Sequence, residues 1–203
     1  MFTGIVEGTG AVESAERRGG VLRVRIDAGA IGEGLPTGGS IAVNGCCLTA
    51  IEVAAGRFTC ELTEETLRRT AFEGRLTPAR LVNLERPMRA DGRFDGHIVQ
   101  GHVDGVGRIL ELRRLGDSAE MRVAPPAELM RYLVEKGSVA VDGISLTIAA
   151  AGADWFDIAL IPYTLAVTNL REAREGDPVN LEVDVIAKYV ERMLGAFRGA
   201  QGA

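Results

Sequence analysis

Aromatic residues make up only 5% of this 203-residue chain. That leaves too little ring surface to stack exposed bases. Lysine and arginine form no dense block, and the net charge is −5. Without a phosphate-tracking surface, nucleic acid is not an expected partner. No apolar run approaches the ~18 residues that span a bilayer, so a membrane is not expected either. The N-terminus, Met1-Phe2-Thr3-Gly4-Ile5-Val6-Glu7, lacks the basic and apolar regions of a signal peptide. Cysteine is scarce. Cys46, Cys47 and Cys60 are an odd number, and two are adjacent. They give no closed disulfide set, which suits a reduced, cytoplasmic protein. No His/Cys/carboxylate cluster has ligand spacing, so no metal site is expected. Histidine is rarer still, with only His97 and His102.

What the chain does have is a repeat. Gly4-Ile5-Val6-Glu7-Gly8-Thr9-Gly10 matches Gly101-His102-Val103-Asp104-Gly105-Val106-Gly107. Gly39-Ser40-Ile41-Ala42-Val43-Asn44-Gly45 matches Gly137-Ser138-Val139-Ala140-Val141-Asp142-Gly143, and Leu48-Thr49 matches Leu146-Thr147. Phe58, Cys60 and Leu62 match Phe156, Ile158 and Leu160. Thr66-Leu67 matches Thr164-Leu165, and Val82-Asn83-Leu84-Glu85 matches Val179-Asn180-Leu181-Glu182. One order and one separation, 97 or 98 residues, mark a tandem duplication.

Each half reads as short strands. Leu22, Val24 and Ile26 alternate with Arg23 and Arg25, and Phe58, Cys60 and Leu62 alternate with Thr59 and Glu61. Asn44-Gly45 and Asp142-Gly143 are tight-turn signals. Short strands with regular turns predict a small closed barrel in each half, which leaves no exposed edges. A short helix is expected from Ala127 to Glu135, and the boundary near Pro87 to Gly96. After Asp184 the period changes. Ile186, Val190, Met193 and Phe197 form one helical stripe, and the tail from Gly199 to Ala203 is expected to fray.

Strand periodicity also points to a site. Cys47 and Thr49 share one face after the first turn, and Ser145 and Thr147 share one after the second. A solvated strand face would explain one such pair. Its recurrence after the same turn in both halves favours a ligand-facing pair. A second polar segment recurs at Glu61-Leu62-Thr63-Glu64-Glu65-Thr66 and Leu160-Ile161-Pro162-Tyr163-Thr164, where helix capping and ligand contact are compatible. His102 stands where the first copy has Ile5, a difference between otherwise matched sites.

Met1-Phe2-Thr3-Gly4-Ile5-Val6, Asn44-Gly45-Cys46-Cys47-Leu48-Thr49, Gly96-His97-Ile98-Val99-Gln100-Gly101-His102-Val103-Asp104-Gly105 and Asp142-Gly143-Ile144-Ser145-Leu146-Thr147 resemble the riboflavin synthase family. The resemblance runs from Met1 to about Leu194. It implies an all-β chain of two tandem six-stranded Greek-key barrels, residues 1–90 and 97–185, with a C-terminal trimerisation helix at 186–198. It implies a homotrimer that needs no cofactor. The implied reaction takes two molecules of 6,7-dimethyl-8-ribityllumazine and moves a four-carbon unit between them. One becomes riboflavin, and the other 5-amino-6-(D-ribitylamino)uracil. Lumazine synthase is a candidate protein partner.

The resemblance also carries over site residues. The first site would use Gly4, Ile5, Val6, Ser40, Cys47, Leu48, Thr49, Glu61, Leu62, Thr63, Glu64, Glu65 and Thr66. The second would use Gly101, His102, Val103, Lys136, Ser145, Leu146, Thr147, Ile161, Pro162, Tyr163, Thr164, Leu165 and Ala166. The C7 methyl of the lumazine is acidic, and a histidine suits its deprotonation near neutral pH. His102 is the candidate for that step. Ser145 and Thr147 would donate to ring oxygens or a developing anion. Cys47 would do the same or add as a nucleophile. Ser40 completes the candidate catalytic set with Asp184, which would handle a later proton. Asp95 and Asn169 depart from the family pattern, at positions where glycine and threonine are common. The rival reading is a non-catalytic lumazine- or flavin-binding antenna protein, and an oligonucleotide-binding barrel fails on charge and aromatic content.

Overall fold

The computed structural model describes the chain from residue 1 to residue 200, with side chains described through Leu194. Of the tail expected to fray from Gly199 to Ala203, residues 199 and 200 still belong to the last helix, while 201–203 and the place of the Phe197 side chain lie outside the described residues.

The first half forms β1 (Gly8–Arg18), β2 (Val21–Asp27), β3 (Ser40–Val43), β4 (Cys46–Ala54), β5 (Arg57–Thr63) and β6 (Leu81–Glu85). They close in the order β1-β2-β5-β4-β3-β6. The second half forms β7 (Gly105–Leu115), β8 (Ser118–Ala124), β9 (Ser138–Val141), β10 (Ile144–Ala151), β11 (Phe156–Leu160) and β12 (Pro178–Val183). Its order, β7-β8-β11-β10-β9-β12, is the same. The duplication extends to the irregularities. Pairing shifts between Val12 and Ser14 and again between Ile109 and Glu111. It shifts between Ala50 and Glu52 and again between Ile148 and Ala150. Such bulges bend a strand, which lets six strands curl into a closed wall.

Inward residues fill each barrel. Ile26, Phe58 and Leu62 are fully buried in the first, and Ile109, Met121 and Phe156 in the second. The Asn44-Gly45 and Asp142-Gly143 turns have positive φ at both residues, the geometry that joins antiparallel strands without splaying them. Helix α1 (Glu64–Arg69) starts at Thr63, whose Oγ1 accepts from Thr66 N at 3.2 Å. Helix α2 (Pro162–Val167) takes the matching place in the second half. The helix expected over Ala127 to Glu135 is a 3-10 turn at Ala127–Tyr132.

The barrels are sewn together by exchange. Phe2 and Val99 form an antiparallel bridge and pack with Ala42 and Ala140 into a small core of their own. Asn83 Nδ2 donates to Asp142 O at 2.9 Å, and Asn180 Nδ2 donates to Asn44 O at 2.9 Å. Asn169, one of the two departures, belongs to this seam. Its Nδ2 donates to Asp142 Oδ2 at 2.9 Å, and its Oδ1 accepts from Asn83. Asp95, the other, is exposed in the connection between barrels.

Helix α3 (Val185–Ala200) follows. Lys188 pairs with Asp104 at 2.6 Å, and Glu191 takes Arg131 and Tyr132. These contacts turn the polar side toward the second barrel. Ile186, Val190 and Met193 of the expected stripe are exposed, as are Tyr189 and Leu194. No helix among the described residues is long and apolar enough to cross a membrane.

Candidate functional site

Strand pairing decides which polar side chains share a face. Ser40 lies opposite Thr49 and Ala42 opposite Cys47 on β3 and β4. Ser138 lies opposite Thr147 and Ala140 opposite Ser145 on β9 and β10. Each barrel therefore presents the expected pair plus a serine, while Cys46, Leu48, Ile144 and Ile148 turn inward. Ser138 was missed by reading the pairs along one strand, although the repeat aligns it with Ser40.

The two loops that cover these faces are exchanged between barrels. Ser145 N donates to Gly4 O at 2.7 Å, and Cys47 N donates to Gly101 O at 2.8 Å. Val6 packs on the second core and Val103 on the first. The grouping expected from sequence is corrected accordingly. Gly4, Ile5 and Val6 sit with Ser145 and Thr147, whereas Gly101, His102 and Val103 sit with Cys47 and Thr49. Both approaches need glycine. A Cβ on Gly4 would lie 2.7 Å from Ser145 Cβ, and one on Gly101 would lie 2.5 Å from Cys47 Cβ.

His102 and its counterpart Ile5 are exposed. His97 has a different setting. Its Nδ1 is 2.7 Å from Ser145 Oγ, and its Nε2 is buried with no partner among the described residues. Burial lowers its pKa below the ordinary 6.5, and the Asp184 carboxylate pulls the other way. His97, Ser145 and Asp184 are thus brought together, with a neutral imidazole against the serine hydroxyl. Sequence reasoning chose His102 alone, because His97 lies in the connection and has no repeat partner to compare. Asp184 also caps α3, its Oδ1 accepting from Ile186 N at 2.9 Å.

Of the other expected residues, Lys136 is exposed at φ 64, where the first barrel has Gly38 at φ 83. A lysine held in the left-handed region is costly for a purely structural role. Thr63, Ile161, Pro162, Tyr163 and Ala166 are exposed, and Thr66 and Thr164 are half-buried. Leu48, Leu62 and Leu165 point into the cores, leaving backbone groups for a ligand, and Leu146 packs partly on the second core. Glu64 pairs with Arg17, Glu65 with Arg68 and Arg69, and Glu61 with Arg23. Those carboxylates are engaged by arginines at the surface. Burial pushes the Cys46 and Cys60 thiols up to about 12. That disfavours the thiolate at both, and Cys47 is the one cysteine that is not buried.

The shift at His97 has a testable sign. The unfolded imidazole holds its proton more tightly than the folded one. The contribution to stability is therefore complete above 6.5 and is lost as pH falls from there toward the lowered value. His97→Gln should lose less melting temperature than the wild type between about pH 7.5 and about pH 5.5. An unchanged loss would mean that His97 does not carry this dependence.

Comparison with known proteins gives the family. A model for the lumazine binding domain matches twice, at residues 3–87 and 100–184. The riboflavin synthase of Mycobacterium tuberculosis is 47% identical, covering 96% of this chain and 98% of that one. Those of Actinobacillus pleuropneumoniae and Bacillus subtilis are 43% and 42% identical, each covering 96% of this chain and 90% of theirs. Among solved structures, LumP complexed with riboflavin superposes with a TM-score of 0.84 at 24% identity, over 90% of this chain and 99% of that one. The two barrels, their matched polar faces and these full-length similarities place the chain in the riboflavin synthase family, with the lumazine binding domain present twice.

Proposed function

We propose that this protein is a riboflavin synthase, an enzyme that converts two molecules of 6,7-dimethyl-8-ribityllumazine into riboflavin and 5-amino-6-(D-ribitylamino)uracil. The observation that carries the reading is the doubled polar face. Ser40, Cys47 and Thr49 recur as Ser138, Ser145 and Thr147 at matching register. A dismutation needs two copies of one molecule in different roles. Two like faces hold two copies, and the differences between them assign the roles. Those differences are Cys47 for Ser145, Ile5 for His102 and Gly38 for Lys136.

In this reading each lumazine lies over one strand pair. His102, or His97 acting through Ser145, takes a proton from the C7 methyl of the donor or acceptor. The hydroxyls of Ser145 and Thr147 donate to the charge that develops on the ring. Asp184 holds or moves a later proton. Holding two rings stacked in register is the larger contribution, because effective molarities of positioned reactants reach ~10⁵ M or more.

The active species is a homotrimer in the cytoplasm. The exposed apolar side of α3 supports assembly, since Ile186, Tyr189, Val190 and Met193 have no cover within the described chain. Lumazine synthase is the proposed protein partner, as the maker of the substrate. The antenna reading is weaker. LumP matches in fold at 24% identity, but riboflavin synthases match at 42–47% over nearly the full length.

Incubating the pure protein with the lumazine tests the activity. Two lumazines should disappear for each riboflavin formed, with no added cofactor and no loss on chelation. Tight binding without turnover would favour the antenna protein.

A further inference from the structure

Each barrel ends on a strand that carries a buried glutamate, Glu85 on β6 and Glu182 on β12. Burying a carboxylate is costly unless its oxygens are satisfied. Both are, and by the same backbone. Glu182 Oε1 accepts from Gln100 N at 2.6 Å, and its Oε2 accepts from Gly101 N at 3.0 Å and His102 N at 2.9 Å. Glu85 accepts from Thr3 N at 2.7 Å, Thr3 Oγ1 at 2.9 Å and Gly4 N at 3.0 Å. These N–H groups have no backbone acceptor among the described residues, so the carboxylates supply the partners that a sheet would otherwise give.

The loops held this way are the two exchanged ones. Glu182 belongs to the second barrel, yet the backbone it grips lies on Cys47 of the first. Glu85 likewise grips the backbone that lies on Ser145. A second acidic residue pins the far end of each loop. Asp104 Oδ2 accepts from Val183 N at 2.9 Å, and Glu7 Oε1 accepts from Arg86 N at 2.7 Å. The device is duplicated with the barrels, at a separation of 97 residues.

We propose that Glu182 and Glu85 are positioning residues of the two sites, each fixing from its own barrel the loop that closes over the polar strand pair of the other or carries its neighbouring side chain. Neither acts as a base. Both oxygens of each are already occupied by loop donors. Their effect runs through the backbone of Gly101 and His102, and of Thr3 and Gly4. A misplacement of ~1 Å at such a site costs as much as ~10²-fold in rate.

The inference rests on the proposed placement of the sites, so its test has one readout independent of activity. In Glu182→Gln, the amide nitrogen of the new side chain faces N–H donors and cannot accept from them. Hydrogen exchange at Gln100, Gly101 and His102 should quicken by about 10-fold or more, with barrel-strand amides unchanged. Riboflavin formation should lose about 10-fold or more in kcat per folded molecule, with KM within about threefold. Glu182→Asp keeps the charge on a shorter arm and should fall between Glu182→Gln and the wild type. Wild-type kcat per folded Glu182→Gln molecule, or unchanged exchange in the loop, overturns the proposal. So does a loss that only follows a lower melting temperature. If Glu182→Gln does not fold, Glu182→Asp decides alone, and wild-type kcat with wild-type exchange in it overturns the proposal. A wild-type protein that forms no riboflavin would defeat the functional reading, while the exchange result still judges the clamp.

Discussion

Co-refolding two inactive variants, Thr49→Trp and Thr147→Trp, is expected to restore about a quarter of wild-type riboflavin formation. Thr49 and Thr147 are exposed on matching strand faces. An indole at either fills the face without entering a core, so each variant should fold and each homotrimer should be dead. We propose, as the family resemblance implies, that the active unit joins the first barrel of one chain to the second barrel of its neighbour in the trimer. In a head-to-tail ring of randomly mixed chains, a working junction needs an intact first barrel beside an intact second barrel. Each condition holds for half the chains, which gives roughly one junction in four. Mixing without unfolding should restore activity only as fast as subunits exchange. If a site were built within one chain, every chain would keep its own defect, and no activity would return. Recovery is the larger signal, because it rises from a background near zero.

Gly143→Ala is expected to destabilise the fold by about 3 kcal/mol or more and to lower the melting temperature by about 10 °C. Gly143 has φ +80, where alanine pays a backbone cost of about 1–2 kcal/mol. A second cost is specific to this place. The added Cβ would lie 2.6 Å from Gly45 N and 2.8 Å from Gly45 Cα. Gly45 belongs to the matching turn of the other barrel, and its backbone has no rotamer by which to yield. The barrels would have to separate, straining the bonds from Asn83 to Asp142 O and from Asn180 to Asn44 O. Gly116→Ala is the control. Its φ is +61, but a Cβ there meets nothing within 4 Å. It should lose only the backbone cost. Equal losses in the two variants would show that the contact between the turns contributes little.

The strands and their duplication were legible because both are local patterns. Alternation at Leu22, Val24 and Ile26 marks a strand from its own residues, and Asn44-Gly45 marks its turn type. The separation of 97 or 98 residues needs no structure to be seen. The polar pairs were legible for the same reason, since Cys47 and Thr49 must share a face of any strand that contains them. The six-strand closure and the chemistry came through family resemblance, not from periodicity.

Tertiary structure alone decided what crosses between the halves. Gly4 and Cys47 look like one site along the sequence, yet the chain carries Gly4 to Ser145 and Gly101 to Cys47. Nothing in a strand pattern records which barrel a loop will cover, because the answer depends on how two closed barrels pack. His97 was hidden likewise. Its partner Ser145 is 48 residues away, and its lowered pKa comes from burial that only packing creates. Glu85 and Glu182 read as ordinary strand residues until the fold puts loop N–H groups, about 80 residues distant in sequence, within hydrogen-bond reach of their carboxylates. Local chemistry fixes which faces a strand offers, while the free energy of packing the two barrels fixes what each face meets.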